Sequence, residues 1–394
     1  MLFGYHIPGN IIFWISPSAI GFSDPAEAFV FLAGYSAGIA QIGRFERHGW
    51  AAAARHVWAR TLELYRWHLV LGASFVVLVL WIGTWAPAAA RPYHDFLHAL
   101  GADPIAAVAY LGLDLQPPLL NILPLFILLF ASLPLALPLA ARRPAALFAL
   151  SLGAYVLARE QFLHMPPPFG PPQHWFFDPF AWQFVFFLGV LAGARARRGL
   201  TVVPFHRFLI ALAIAYLLFA FTIILFWYAP PLQMPDWLQA EFGRVRKWTE
   251  SPLRLLHFLA LTYLAAWLVP VDAAWLRSRP ALAVVRVGQH SLELFAAGVV
   301  LSLIGMGLVD RLGNGLPQQF AVDIVGVALL LSLAHVLSRR AQAVRAGSGP
   351  NVAAGLIAAA RPVTEAADPE RQTRSHRSPP DWPATGPDPR DGGR

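Results

Sequence analysis

Long apolar segments separated by short polar ones follow one another along the chain to about residue 337. A membrane-crossing helix needs about 20 mostly apolar residues with few charges, and ten segments approach that pattern. They are predicted at residues 1–15, 25–42, 61–86, 119–140, 144–162, 179–194, 205–228, 253–270, 287–309 and 319–337. The pattern therefore predicts an all-α, polytopic integral membrane protein with about ten transmembrane helices.

The second apolar segment carries a clear signal for where its helix begins. Ser23 or Asp24 can cap the helix, Pro25 suits its first position, and Glu27 completes a capping box with Asp24. Further along, Gly34 and Gly38 stand four residues apart, a spacing that puts both on one helix face. We expect this face to pack closely against another helix.

The positively charged residues alternate between the segments that join the spans. Sixteen Lys and Arg lie in the first set of segments, which is 43–60, 141–144, 195–207, 271–286 and 338–345. Five lie in the second set, which is 16–24, 87–118, 163–178, 229–252 and 310–318. By the positive-inside rule the first set is cytoplasmic. Both termini are then predicted to be cytoplasmic, with the longer loops outside.

Two further segments are predicted from composition. Residues 43–60 combine Arg with Trp and are typical of an amphipathic helix at the membrane interface. Beyond about residue 341 the chain is rich in Ala, Pro, Arg, Asp and Gly without apolar periodicity. We therefore expect a membrane domain at 1–340 and a disordered cytoplasmic tail at 341–394.

Composition excludes several other classes of protein. Hydrophobic residues make up 57% of the chain, which is too many for an ordinary soluble domain. The net charge of +8 comes from arginines between spans, so we interpret it as a topology signal and expect no nucleic-acid partner. The chain has no cysteine, its histidines lack metal-site spacing, and soluble-enzyme motifs are missing, so no metal is expected.

Ionisable residues at membrane segments are the candidate functional residues, because placing them there costs free energy. A short loop brings His6 toward Glu27, although helix capping alone would also explain Glu27. Arg254 and His257 are three residues apart at the start of the eighth span and share a helix face. His290 lies near the start of the ninth span. These five side chains are the candidates for a catalytic or binding role.

Six sequence blocks, found in the same order over nearly all of residues 1–337, resemble the OpgC family. They are HIPGN (6–10), FSDPAEAFVFLAGYSAG (22–38), QPPLLNILPLFILL (116–129), WFFDPFAWQFVFFLG (175–189), PLRLLHFLALTYL (252–264) and GQHSLELF (288–295). The resemblance implies an O-acyltransferase of the bacterial inner membrane that moves a succinyl group to hydroxyls of a periplasmic glucan. It also implies succinyl-CoA or a similar acyl-CoA as the donor substrate, with no bound cofactor.

The chain departs from the family pattern at two positions and at its start. Tyr5 and Asn121 stand where the family pattern has Asp, which leaves open whether this copy is active. The family's charged segment before the first span has no counterpart, and residues 1–15 would reach only about 22 Å as a helix. We therefore expect an in-frame extension of about 15 to 25 residues upstream of Met1.

The residues and the resemblance together lead to one mechanistic hypothesis and two alternatives. His6 is the candidate base for the acceptor hydroxyl, with Glu27 orienting it, and Arg254, His257 and His290 are candidates for binding the donor or the oxyanion. A transporter or flippase for a saccharide or lipid-linked substrate is the first alternative. A catalytically inactive membrane scaffold with the same fold is the second.

Overall fold

The computed structural model describes residues 2–167, 169, 174–228, 236, 242, 245–270 and 273–347, and the regular structure in these residues is helical. We number the α-helices in chain order: α1 (Leu2–Tyr5), α2 (Pro17–Ile20), α3 (Pro25–Gly83), α4 (Pro87–Ala90), α5 (His94–Ala102), α6 (Ile105–Leu111), α7 (Ile122–Arg142), α8 (Pro144–Arg159), α9 (Pro179–Arg197), α10 (Arg207–Tyr228), α11 (Pro252–Leu268), α12 (Arg279–Gln289), α13 (Ser291–Leu312) and α14 (Leu316–Gly347). The predicted tail, from 348 onward, lies outside the described residues.

Within the described residues, six helices are long and apolar enough to cross a membrane: α3, α7, α9, α10, α13 and α14. Two more, α8 and α11, are apolar but shorter. Every predicted span from 25–42 onward falls on one of these eight helices, and α3 holds two of the predicted spans. The prediction of a helical membrane protein is confirmed, while the count of ten spans is supported only in part.

The prediction of a first span at 1–15 is wrong for the residues that the structure describes. A four-residue helix, α1, is followed by a turn and a 3₁₀ helix at Ile11–Ile15. Pro8 and Gly9 break the helix between them, since Pro8 lacks an N–H and Gly9 adopts a φ of 71° that most residues avoid. The segment therefore forms a compact loop against α13 and α14.

The long helix α3 reverses direction at Gly49. This residue has φ 76° and ψ 176°, outside the helical region, and glycine tolerates that conformation best. Gln41 Nε2 lies 3.0 Å from His56 Nδ1, although a straight helix would separate these residues by about 22 Å. The two arms, 25–48 and 50–83, thus fold back on each other. The predicted interfacial helix at 43–60 is helical and forms the turn between them.

The first arm of α3 crosses α9 through four glycines: Gly34 and Gly38 on α3, and Gly189 and Gly193 on α9. A Cβ added to any of them would overlap a backbone carbonyl oxygen of the opposite helix; those oxygens belong to Phe186, Val190, Phe31 and Tyr35 respectively. Small residues let two backbones approach in this way. The close-packing face predicted from Gly34 and Gly38 is confirmed, and α9 is its partner.

Candidate active site

A cavity of about 860 Å³ lies where the N-terminal segment meets the first turn of α3 and the first turn of α11. His6, Asp24 and Arg254 line it, together with residues from the predicted outer loops at 87–118, 163–178 and 229–252. Its wall is rich in aromatic rings, namely Tyr5, Phe13, Phe22, Phe96, Phe169, His174, Phe176, Phe177, Phe242 and Phe295. The cavity combines apolar rings with a small number of polar and charged groups, as ligand sites commonly do.

Arg254 is the centre of a buried charge cluster at one side of the cavity. Its guanidinium donates to the Glu27 carboxylate and, over 2.9 Å, to the backbone oxygen of Phe22. The same Nη2 lies 3.2 Å from Asp24, whose other ion-pair partner is Lys247. Both carboxylates and the guanidinium are buried. Buried charges of this kind persist only when paired, so the cluster ties α11 to the start of α3.

The two acids at the start of α3 also form the predicted capping box, which is confirmed. The Asp24 N–H donates to Glu27 Oε2 over 2.9 Å, and the Ala26 N–H donates to Asp24 Oδ1 over 2.8 Å. The Glu27 carboxylate therefore accepts hydrogen bonds from the Asp24 N–H and from Arg254. Among the described residues no hydrogen bond joins Glu27 to His6, so the structure does not show the predicted orientation of His6 by Glu27.

The loop that precedes α11 contributes Lys247 and Glu250 to the charge cluster, and groups at α8 and α9 form hydrogen bonds with it. Four hydrogen bonds of 2.7 to 3.0 Å fix it: Trp182 Nε1 to the Lys247 oxygen, the Asp178 N–H to the Trp248 oxygen, Arg159 to Thr249 Oγ1, and the Tyr155 hydroxyl to the Glu250 oxygen. Glu250 itself has a φ of 46°, which is uncommon for a residue with a side chain. The loop is thus fixed by neighbouring helices in a conformation that places Lys247 at the cavity.

The cluster contains three carboxyl groups and two cations. Burial would raise the pKa of Asp24, but Lys247 and Arg254 outweigh that effect and hold it at about 2. Burial, reinforced by the nearby Glu27 charge, raises the pKa of Glu250 well above its usual range. The Glu250 oxygens have no hydrogen-bond partner in the described part of the chain, and the closest cationic atom is Arg254 Nε at 3.7 Å. The raised pKa favours a neutral Glu250 carboxyl, which needs no ion-pair partner.

His6 faces the cavity next to Tyr5 and lies outside the six candidate membrane helices. Burial lowers its pKa to about 4, and the positive charge of Lys247 acts in the same direction. The imidazole is therefore neutral near pH 7 and can accept a proton. Tyr5, which stands where an Asp was expected, lies 3.2 Å from Ser18 through its hydroxyl and contacts the His6 ring edge to face.

The remaining two candidate residues do not line this cavity. His257 lies behind the wall formed by Gly21 and Ser23, where its Nδ1 is 2.7 Å from Ser23 Oγ and accepts the Ser23 N–H at 3.3 Å. His290 lies at the junction of α12 and α13. The structure thus brings together His6 and Arg254 at the cavity with Glu27 directly behind Arg254, and it leaves His257 in the wall and His290 elsewhere.

Sequence reasoning missed Lys247, which the structure places at the cavity. Its ammonium group pairs with Asp24 and lies 5.1 Å from the ring centres of Phe176 and Phe177. The sequence contained a signal for it, because Lys247 is the only lysine in a chain rich in arginine. Asp24 was recognised only as a helix cap. Its second role depends on a partner more than two hundred residues away.

A family model described as OpgC protein matches residues 1–342. No curated protein and no solved structure matches the chain.

Proposed function

The chain belongs to the OpgC family, and on that premise we propose that it transfers a succinyl group from a cytoplasmic acyl-CoA to hydroxyls of a periplasmic glucan. Family membership by itself indicates a membrane acyltransferase-like function, and the helices agree with a membrane protein. The acyl group, the donor and the glucan acceptor are part of the proposal. So are the bacterial inner membrane and the cytoplasmic side of the C-terminus, whereas residues 2–15 do not cross as a helix and so share the outer side proposed for the loop at 16–24.

One observation carries the proposal: the imidazole of His6 and the ammonium group of Lys247 line the same cavity. His6 supplies the base, and Lys247 supplies a cation that Asp24 and two phenylalanine rings hold in place. Acyl transfer from a thioester requires these two groups, a base for the hydroxyl and a positive group for the developing oxyanion. Arg254 stays paired with Glu27 and acts by fixing Asp24 and the cavity wall.

The proposed step is direct transfer. The hydroxyl oxygen of the sugar attacks the thioester carbonyl while His6 accepts the hydroxyl proton, and Lys247 stabilises the negative charge that forms on the carbonyl oxygen. The carbon–sulfur bond then breaks, and the proton passes from His6 to the thiolate of CoA. The products are an ester on the glucan and free CoA.

The position of the cavity supports an acceptor on the periplasmic side. Its lining comes from three loops that the distribution of Lys and Arg assigns to that side, and from the N-terminal segment. Aromatic rings and amides such as Asn121 and Gln116 suit a sugar, which offers apolar ring faces and hydroxyl groups. The acyl-CoA then has to present its thioester to this cavity from the cytoplasm.

The test compares glucan esters in a deletion strain complemented with the wild type or with variants. We expect esters to return with the wild type and to stay absent with His6→Ala, at equal membrane yield. His98→Ala is the matched control, because His98 is exposed and does not line the cavity. Loss of glucan export in the deletion strain would instead support a transporter, and unchanged esters and export would support an inactive scaffold.

A further inference from the structure

The loop that carries His6 is fixed by side chains from the other end of the chain. Gln319 lies in the first turn of α14 and is buried. Its Oε1 accepts the Ile11 N–H over 2.9 Å, and its Nε2 donates to the Gly9 oxygen over 3.1 Å. One amide therefore serves a backbone donor and a backbone acceptor two residues apart, through its oxygen and its nitrogen.

Neighbouring residues strengthen this anchor. Asn10 donates to Asp323 Oδ1 over 3.0 Å, and both residues are buried. Asn314 accepts from Gln319 Nε2 over 2.8 Å and so fixes the orientation of the Gln319 amide. The fit is tight, since a Cβ on Gly9 would lie 2.9 Å from Asn314 Nδ2.

A second anchor holds the chain on the other side of His6. The Ser302 hydroxyl of α13 lies 2.9 Å from the Phe3 oxygen and 2.8 Å from the Gly298 oxygen, so these two acceptors share its one proton. The Phe3 ring packs against Gly326 of α14. His6 thus lies between two anchor points, three residues from each, and both belong to the α13–α14 hairpin. The described residues offer no hydrogen bond to the His6 ring itself, so these backbone anchors determine where the ring lies.

We propose that Gln319 is a positioning residue for His6, acting through its paired hydrogen bonds to Gly9 and Ile11. This inference rests on the proposed role of His6 as the base. A shift of about 1 Å in a reacting group can cost about a hundredfold in rate. Most of the cavity lining comes from residue 18 onward, so loosening the loop should lower turnover more than it weakens substrate binding.

The first experiment measures the loop directly and does not depend on catalysis. The chain has no cysteine, so His6→Cys gives a single site for a nitroxide spin label in the full-length protein. We expect Gln319→Leu to increase the mobility of this label in the electron paramagnetic resonance spectrum. Gln318→Leu is the matched control, since Gln318 is the adjacent residue of the same type and, among the described residues, its side chain bonds only to the Leu312 oxygen. Equal mobility in both variants would overturn the inference.

The second experiment measures turnover with succinyl-CoA and a purified periplasmic glucan, with His6 intact. We expect Gln319→Leu to lower kcat about 10- to 100-fold with KM nearly unchanged, and Gln318→Leu to behave as wild type. Gln319→Leu that raises label mobility but leaves kcat unchanged would show an anchor with no positioning role. Full activity in His6→Ala would instead remove the proposed base, so the two failures are distinguishable.

Discussion

The indole Nε1 of Trp50 donates a 2.9 Å hydrogen bond to the backbone oxygen of Pro134 in α7. In a regular helix that oxygen would accept from the N–H four residues on, but residue 138 is also proline and has none. Trp50 directly follows the Gly49 reversal, so it supplies the missing donor and joins the α3 turn to α7. An isolated apolar helix would leave this oxygen unpaired.

Trp50→Phe should therefore destabilise the protein by about 1 to 3 kcal/mol, the usual cost of leaving a polar group without its partner. The measurement is the thermal unfolding midpoint of the detergent-solubilised protein. Trp58→Phe is the control, because Trp58 is about as exposed as Trp50 and contacts Trp50 through its ring. A Trp50→Phe midpoint equal to that of the control would mean that the hydrogen bond contributes nothing.

Gly34→Leu should lower the folded yield sharply. A side chain at this position meets the Phe186 backbone of α9, which cannot move without separating the two helices. Gly153→Leu on α8 is the matched control, since nothing lies within 4 Å of a Cβ there. Monodisperse yield by size-exclusion chromatography distinguishes the two, and a normal yield for Gly34→Leu would contradict the crossing with α9.

The topology predicted from the charge distribution can be tested with reporter fusions. A reporter that is active only in the periplasm should give signal when fused after Gly101, Pro168 or Gln239. It should give none after Arg143, Arg198 or Arg340, because those positions follow the arginine-rich segments. Signal at the second group of sites would invert the orientation and place the cavity on the cytoplasmic side.

Lys247→Met should lower the rate, because the oxyanion loses its positive group, and should shift the acid limit of the residual activity to higher pH. His6 acts as a base only when neutral, so activity should fall as the pH drops through its pKa of about 4. The Lys247 charge contributes to lowering that pKa, so its removal raises the pKa and protonates His6 at a higher pH. Lys247→Arg keeps the charge and should leave the limit in place. The measurement is the initial rate against pH at saturating donor. An unshifted limit in Lys247→Met would show that the Lys247 charge does not affect the pKa of His6.

Local signals in the sequence were sufficient for much of the fold. The start of α3 could be predicted from Asp24, Pro25 and Glu27, because capping depends on residues within one turn. The helix positions from residue 25 onward follow from continuous apolar runs. Such runs predict helices reliably, because a backbone group without a hydrogen-bond partner is costly in lipid. The failure at residues 1–15 came from weighing apolar content above the helix-breaking effect of Pro8 and Gly9.

The candidate site could be predicted only in part, because its contacts are long-range. His6 and Arg254 were identified as ionisable residues in apolar surroundings. The pairing of Asp24 with Lys247 and the placement of His257 behind Ser23 depend on how distant helices meet. Periodicity within one segment contains no information on such contacts. A single lysine among many arginines was the one local signal that pointed to Lys247.

The Gly49 reversal has a mechanical consequence for the molecule. The first arm of α3 is a rod of about 36 Å, with Asp24 of the charge cluster at one end and Gly49 at the other. The second arm starts at the next residue, so no flexible linker separates the two arms. The glycine crossing fixes the first arm to α9. The arginine-rich turn and the charge cluster are therefore held about 36 Å apart, and their separation can change only if this arm bends.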